Sequence, residues 1–318
     1  MTTSAIPEAQ TTATVLMVRP GVFYANPETA RSNAFQQPGG QADPALLRAA
    51  LHEFDSAVAR LADAGVEVLE AAAPQGDLPD ALFPNNWFST HADGTLALYP
   101  MESLKRRAER QPGPVQALLH HHGFTIRRVL DLTSLEASGQ MVEGTGSLVL
   151  DRVARVAWAC RSGRTHPAGV ATACEALGYL PRVFSATDAA GRPIYHTNVM
   201  LSIGSGLAMV CAEAVQDPGE RGMLLDALTD SGRRLVELSQ SQVAGFAGNA
   251  LELRGHDGPL LALSSRAWAC LTLTQRRAIE SAAEPLPVDV TTIERVGGGG
   301  IRCMLAEIHL PRVSAPPG

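Results

Sequence analysis

Two hydrophobic rhythms alternate along this chain. Short unbroken apolar runs, such as residues 14–18, read as strands covered on both faces. Longer stretches carry apolar residues at three- and four-residue spacing. Leu47, Leu51, Phe54, Val58 and Leu61 do so within residues 44–64, which predicts an amphipathic helix stopped by Gly65. A strand follows at 66–69. Residues 85–91 and 95–99 read as two strands joined by a tight turn at Asp93-Gly94. Residues 103–122 then predict a helix closed by Gly123, and 125–129 another strand.

The same order returns three more times. Residues 147–150 and 153–160 flank Asp151-Arg152, ahead of a helix over 167–177 stopped by Gly178 and a strand around 182–184. Residues 196–203 and 207–212 flank Gly204-Ser205-Gly206, ahead of a helix over 218–238. Residues 250–253 and 260–263 flank His256-Asp257-Gly258, ahead of a helix over 273–283 and a strand at 288–290. The last unit stops early: the four glycines 297–300 lead into one strand-like run at 304–310, and the chain soon ends. Its missing strand, helix and strand stand at the other end, within 14–69. The expected fold is a five-bladed α/β propeller of strand-turn-strand-helix-strand units, closed by pairing of the N- and C-terminal strands. Closure removes open sheet edges. A single domain is expected over 14–310, with a disordered tail at 1–13 and a C-terminal tail at 311–318. An open parallel α/β sheet is the rival. The hairpins count against it, and no G-x-G-x-x-G follows a strand.

Reactive side chains share this period. Counting back from Cys303, Asn249 lies 54 residues earlier, His196 another 53, Glu143 another 53 and Asn86 another 57. Each stands at the start of an apolar run. In a ring, equivalent positions line one central wall, so a thiol, an imidazole, a carboxylate and amides would meet in one pocket. Cys, His and Glu then supply a nucleophile, a base and an orienting group. The thiolate attacks, so Cys303 needs an electropositive setting, and Arg302 is adjacent. His196 can move protons near neutral pH. The glycines ahead of Cys303 let backbone approach a ligand closely.

Composition narrows the classes further. The chain has 318 residues, 45% of them apolar, and a formal net charge of −6 with scattered Lys and Arg, so nothing points to nucleic acid. No apolar run is long enough to span a bilayer, and the N-terminus lacks a signal-peptide pattern. Five cysteines without C-x-x-C spacing argue against disulfides or a zinc site and for a reducing cytoplasm. Cys160, Cys211 and Cys270 read as core. His120-His121-His122 reads as a solvated helix end, His166 as a helix start, and His91 and His256 as solvated turn residues. No metal or organic cofactor is implied. The expected partner is a small amino acid, and homo-oligomerisation is left open.

Glu143-Gly144, His196 and the terminal Gly-Gly-Gly-Gly-Ile-Arg-Cys-Met resemble the guanidino-group-modifying superfamily. It contains arginine deiminases, dimethylarginine dimethylaminohydrolases and amidinotransferases. The resemblance spans residues 14–310. It implies an α/β propeller of the pentein type and a covalent mechanism through Cys303, with His196 as acid/base and Glu143 as a substrate-binding carboxylate. Ser162-Gly163-Arg164-Thr165 is similar to a family segment, which implies that Arg164 binds the substrate α-carboxylate. Arg19 is a second candidate for that end.

Arginine-processing members carry Asp where this chain has Asn85-Asn86, and often another just after the His, where this chain has Thr197-Asn198. A guanidinium is a cation with only donors, which suits carboxylates. A ureido group is neutral and carries an acceptor, which suits the mixed polarity of an amide. The Pro-Asn-Asn-Trp-Phe-Ser stretch resembles the citrulline-hydrolase branch. That branch implies hydrolysis of citrulline to ornithine, ammonia and carbon dioxide, with Asn85, Asn86, Asn198 and Glu143 around the ureido group and Asn249 as a further substrate-binding candidate. The alternatives are a guanidino hydrolase acting on arginine or a methylarginine, an amidinotransferase, and a non-catalytic amino-acid-binding propeller.

Overall fold

A computed structural model of the chain describes residues 8–30, 32–36 and 42–312. Its strands build five three-stranded sheets within a mixed α/β fold. β1 (Thr14–Val18) pairs in parallel with β2 (Glu67–Ala71). The next sheet is β3 (Phe88–Thr90), β4 (Thr95–Leu98) and β5 (Arg128–Asp131). Then come β6 (Val149–Asp151), β7 (Val156–Cys160) and β8 (Leu180–Phe184). β9 (Leu201–Ile203), β10 (Leu207–Val210) and β11 (Arg234–Glu237) form the fourth sheet. β12 (Leu251–Arg254), β13 (Pro259–Ser264) and β14 (Glu284–Val288) form the fifth. In each of the last four, a hairpin joins the first two strands antiparallel, and a helical crossover brings the third in parallel, as parallel pairing requires. The short β15 (Ala306–Glu307) returns to β1, with Val15 opposite Glu307 and Leu16 opposite Ala306, and supplies the missing first strand.

Several predicted bounds shift. The helix over 103–122 is two, Leu104–Ala108 and Pro112–His121, because Pro112 and Pro114 restart the chain. The helix predicted over 218–238 ends at Asp230, and its last part is β11. Met304 belongs to a helical turn rather than a strand. Cys270 closes a short helix and is only half-buried. The first crossover helix, Pro44–Asp63, buries Ala50, Phe54, Ala57 and Leu61, a face centred on small residues beside the predicted leucines. Asp43 caps it by accepting from the Ala45 N–H at 2.8 Å. The apolar core lies between neighbouring sheets and under these helices. No helix among the described residues is long and apolar enough to cross a membrane.

The expected N-terminal tail needs correction where it is described. Residues 1–7 and 313–318, and with them most of the two predicted tails, lie outside the described residues. Glu8, Gln10 and Thr12 are buried. Glu8 accepts from Arg152 at 2.6 Å, Arg155 at 2.8 Å and the Tyr179 hydroxyl at 2.7 Å. Gln10 donates to the carbonyls of Leu150 and Ile203, both at 2.9 Å, and so ties two sheets together. His91, expected in solvent, is buried beside Glu8. These polar residues read as a solvated tail because their partners are more than 80 residues away.

Burial would raise the Glu8 carboxyl, but Arg152 and the neighbouring histidines outweigh it and bring it to about 2. Glu8→Ala is expected to cost about 3–5 kcal/mol, because it leaves Arg152 buried with less compensation. The check is the drop in Tm at neutral pH; an unchanged Tm contradicts it. The folded value lies below the ordinary one of 4.5, so this stability is full above about 4.5 and is lost as pH falls towards about 2.

Candidate active site

In all five units a tight turn precedes the first strand. Pro84–Asn86 leads into β3, Gly144–Ser147 towards β6, Thr197–Val199 towards β9, Gly248-Asn249-Ala250 into β12 and Ile301–Met304 towards β15. Asn86, Glu143, His196, Asn249 and Cys303 sit in or at the edge of these turns. The turn 84–86 touches both 144–147 and 301–304, and 144–147 also touches 197–199.

Cys303 and His196 open onto one narrow cavity with Asn86, Arg106, Arg164 and Asp80. Gly297, Gly298 and Gly299 line its wall. Gly298 has φ +68, and a Cβ there would come within 2.4 Å of Asn33 Nδ2, so this position needs glycine twice over. The Asn33 side chain also donates to the Gly298 carbonyl at 3.1 Å and ties the segment before it to the cysteine loop. Three roomier cavities, of about 720, 620 and 760 Å³, lie elsewhere among the described residues, and none places a thiol beside an imidazole.

Glu143 is buried at the start of its turn. Its Oε1 accepts from the Glu102 N–H at 2.9 Å, and its Oε2 lies 2.9 Å from His196 Nε2. Burial would raise this carboxyl, but Arg164 and His196 bring it down to about 2. An ionised carboxylate can only accept, so His196 Nε2 carries the hydrogen and Nδ1 is left with its lone pair. Burial lowers His196 to about 4 against the pull of Glu143, so at neutral pH the ring is an uncharged base.

Cys303 lies in the turn Ile301–Met304 and is buried. Asn249 Nδ2 lies 3.4 Å from its sulfur and also donates to the Asn198 carbonyl at 3.2 Å, which fixes the amide. Burial pushes the thiol up, and Asn249 and then Arg302 pull it back only in part. The electropositive neighbour expected of Arg302 is largely absent, because its side chain turns to Glu307 at 2.8 Å and the Leu305 carbonyl at 2.9 Å. The resting pair is therefore thiol and neutral imidazole.

The remaining predicted residues divide. Asn86 lines the cavity, while Asn85 stands behind it, donating to Thr145 Oγ1 at 3.2 Å and accepting from Asn86 Nδ2 at 3.0 Å. Arg164 reaches the cavity, held by Ser32 Oγ at 2.8 Å and the Thr29 carbonyl at 3.3 Å and stacked on Tyr195. Asn198 does not join them: it faces a second cavity with Glu252, Arg302 and Glu307. Arg19 is also outside, half-exposed and paired with Asp55 at 2.5 Å on the helix Pro44–Asp63.

Asp80 and Arg106 were missed. Asp80 Oδ2 accepts from Asn26 Nδ2 at 2.8 Å, and its other oxygen has no partner among the described residues. Neither residue has a local signal, since Leu78-Pro79-Asp80 reads as an exposed turn and Lys105-Arg106-Arg107 as a solvated basic run.

A Cβ on Gly146 would stand 2.5 Å from Asn86 Nδ2 and 2.8 Å from His196 Nδ1. Gly146→Ala is therefore expected to lower kcat/KM about 100-fold by displacing the base, with folding retained by circular dichroism. Wild-type kinetics in this variant would contradict the placement of His196.

A family model described as N,N dimethylarginine dimethylhydrolase, eukaryotic, matches residues 19–310. Among curated proteins, none matches the chain. Solved structures do. The N-terminal domain of ArgZ bound to its product, from an arginine dihydrolase of the ornithine-ammonia cycle in Cyanobacteria, gives a TM-score of 0.71 at 18% identity, covering 94% of this chain and 99% of that one. The same domain covalently bound to a reaction intermediate gives 0.71 at 17% identity, with the same coverage. DDAH from Pseudomonas aeruginosa, complexed with citrulline, gives 0.64 at 14% identity, covering 95% of this chain and 100% of that one. At these identities the likeness is one of fold. The family match covers most of the chain, and so the protein belongs to the N,N dimethylarginine dimethylhydrolase family and is a cysteine-dependent C–N hydrolase.

Proposed function

We propose that the chain hydrolyses the ureido group of citrulline, giving ornithine, ammonia and carbon dioxide. The observation that carries this reading is the polarity at the reacting end. Asn86 Nδ2 and His196 Nδ1 both border Gly146, so an uncharged amide stands beside the base. A ureido carbonyl can accept from that amide, whereas a guanidinium presents only donors.

The steps follow from the groups present. Cys303 gives its proton to His196 Nδ1 as its sulfur attacks the ureido carbon. The imidazolium, stabilised by Glu143, passes the proton to the nitrogen that leaves as ammonia. A thiocarbamate then joins Cys303 to the ornithine nitrogen. Water, deprotonated by the same imidazole, adds to its carbonyl and expels the thiol. The carbamate released breaks down to ornithine and carbon dioxide. Arg164 would hold the α-carboxylate and Asp80 the α-ammonium. Asp80 is bound to Asn26, and Arg164 to Thr29 of the same segment, which supports giving both to the amino-acid end of the substrate.

We read the five sheets as blades of one propeller over 14–310, with this site on its axis. Support comes from the β1–β15 pairing and from the mutual contacts of the turns. A second reading keeps a guanidino substrate, and the Glu143 carboxylate beside His196 favours it, since a carboxylate suits a cation. Incubation of the purified protein with each amino acid separates the two. Ornithine from citrulline, with arginine left intact, supports the first reading; consumption of arginine alone overturns it.

Arg164→Met is expected to raise KM for citrulline about 10- to 100-fold with a smaller change in kcat, because a charge-assisted pairing made in ground and transition states alike is lost. A fall confined to kcat would place Arg164 at the reacting end instead.

A further inference from the structure

Arg106 was not among the residues the sequence singled out, yet it touches the amide on which substrate choice rests. It is buried at the cavity, and its donors fan out to fixed partners. Nε and Nη2 bind Glu109 at 3.1 and 3.0 Å. Nη2 also reaches the Phe83 carbonyl at 3.1 Å, and Nη1 lies 2.6 Å from the Asn86 side chain.

That last contact settles which way the amide points. Arginine has five N–H donors and no acceptor, so the Asn86 atom facing it must be the carbonyl oxygen. Were the amide turned over, donor would face donor. The nitrogen consequently lies on the other side, 3.0 Å from Asn85 Oδ1 and next to Gly146 and His196. Asn85 is locked in turn, because its own nitrogen is committed to Thr145. One hydrogen of Asn86 Nδ2 serves Asn85, and the second is left for the cavity.

We infer that Arg106 is a specificity-determining positioning residue, which clamps Asn86 so that this amide turns an N–H donor to a substrate carbonyl and no acceptor to a guanidinium. This rests on the ureido reading above. A free asparagine could flip and serve either substrate. A clamped one serves only the carbonyl, since a guanidinium N–H would meet another N–H. Glu109 holds the other side of the arginine, so the clamp persists when the cavity is filled.

The test uses kcat/KM for citrulline and the inhibition constant of arginine as competitor. Arg106→Met/Glu109→Leu removes both charges together, which buried ion pairs tolerate better than loss of one partner. Arg106→Lys keeps the charge beside Glu109 but withdraws the fork that reaches Asn86, and it serves if the double variant does not fold. Both are expected to lose at least about tenfold in kcat/KM for citrulline while arginine binds as well as before or better, the scale of one mismatched hydrogen bond in a buried site. Parallel weakening of citrulline and arginine would mean that Arg106 only supports the fold, and would overturn the inference. A wild-type enzyme that consumes arginine and leaves citrulline sinks the ureido reading itself, and the inference with it. A citrulline-selective wild type whose preference survives both variants sinks the role of Arg106 alone.

Discussion

Cys303→Ser is expected to reduce turnover by about 10⁴-fold or more, with the fold intact. Among the described residues, the sulfur is the only thiol on the wall that also carries His196. Serine differs by one atom and fits the same buried site, so stability should change little. Its hydroxyl is far harder to ionise, and the neutral imidazole at about 4 is too weak a base to activate it. The loss should therefore appear in kcat, while citrulline still binds. Retention of more than a trace of activity, checked by ornithine release with the variant's circular dichroism matched to wild type, would remove Cys303 from the reaction. Three of the other four cysteines offer no substitute. Cys160, Cys174 and Cys211 are buried, and burial drives their thiols up, to about 11, 12 and 11.

His196→Gln carries the second large effect, a fall in kcat of about 10³- to 10⁴-fold, since one imidazole serves both proton transfers. Glutamine can still donate to Glu143, so the variant removes the base and spares the hydrogen-bonded scaffold. The wild-type pH profile tests the same assignment. The acting form is the uncharged ring, present above about 4 and lost as pH falls through that value. The profile of kcat/KM should thus be level near neutrality and fall only in the acid range. An acid limb centred near 6.5 would contradict the lowering by burial. Stability has its own pH dependence from this residue. The folded value of about 4 lies below the ordinary 6.5, so the unfolded chain takes up the proton first, and stability falls as pH drops from about 6.5 to about 4.

The repeat and the meeting of Cys303, His196 and Glu143 were legible for one reason: both are carried by local patterns. Apolar runs, hairpin glycines and helix stops fix each unit, and the spacing of Cys303, Asn249, His196, Glu143 and Asn86 follows from it. Only the resemblance assigns Asn198 to the site, as a position just after His196. The 3-10 turn Thr197–Val199 intervenes, and the side chain leaves by the opposite side from His196. Arg19 stands at the end of β1, where nothing local says that Asp55 will capture it. Asp80, Arg106 and Glu8 are buried by partners distant in sequence or by tertiary packing. A charged residue in a polar stretch looks solvated until those partners are known.

Mass spectrometry of the protein quenched during turnover of citrulline is the most direct test. The account predicts an adduct on Cys303 that retains the ornithine portion and the ureido carbonyl but lacks the nitrogen lost as ammonia. Ornithine formed with Cys303 unmodified throughout, or an adduct on another side chain, would contradict it.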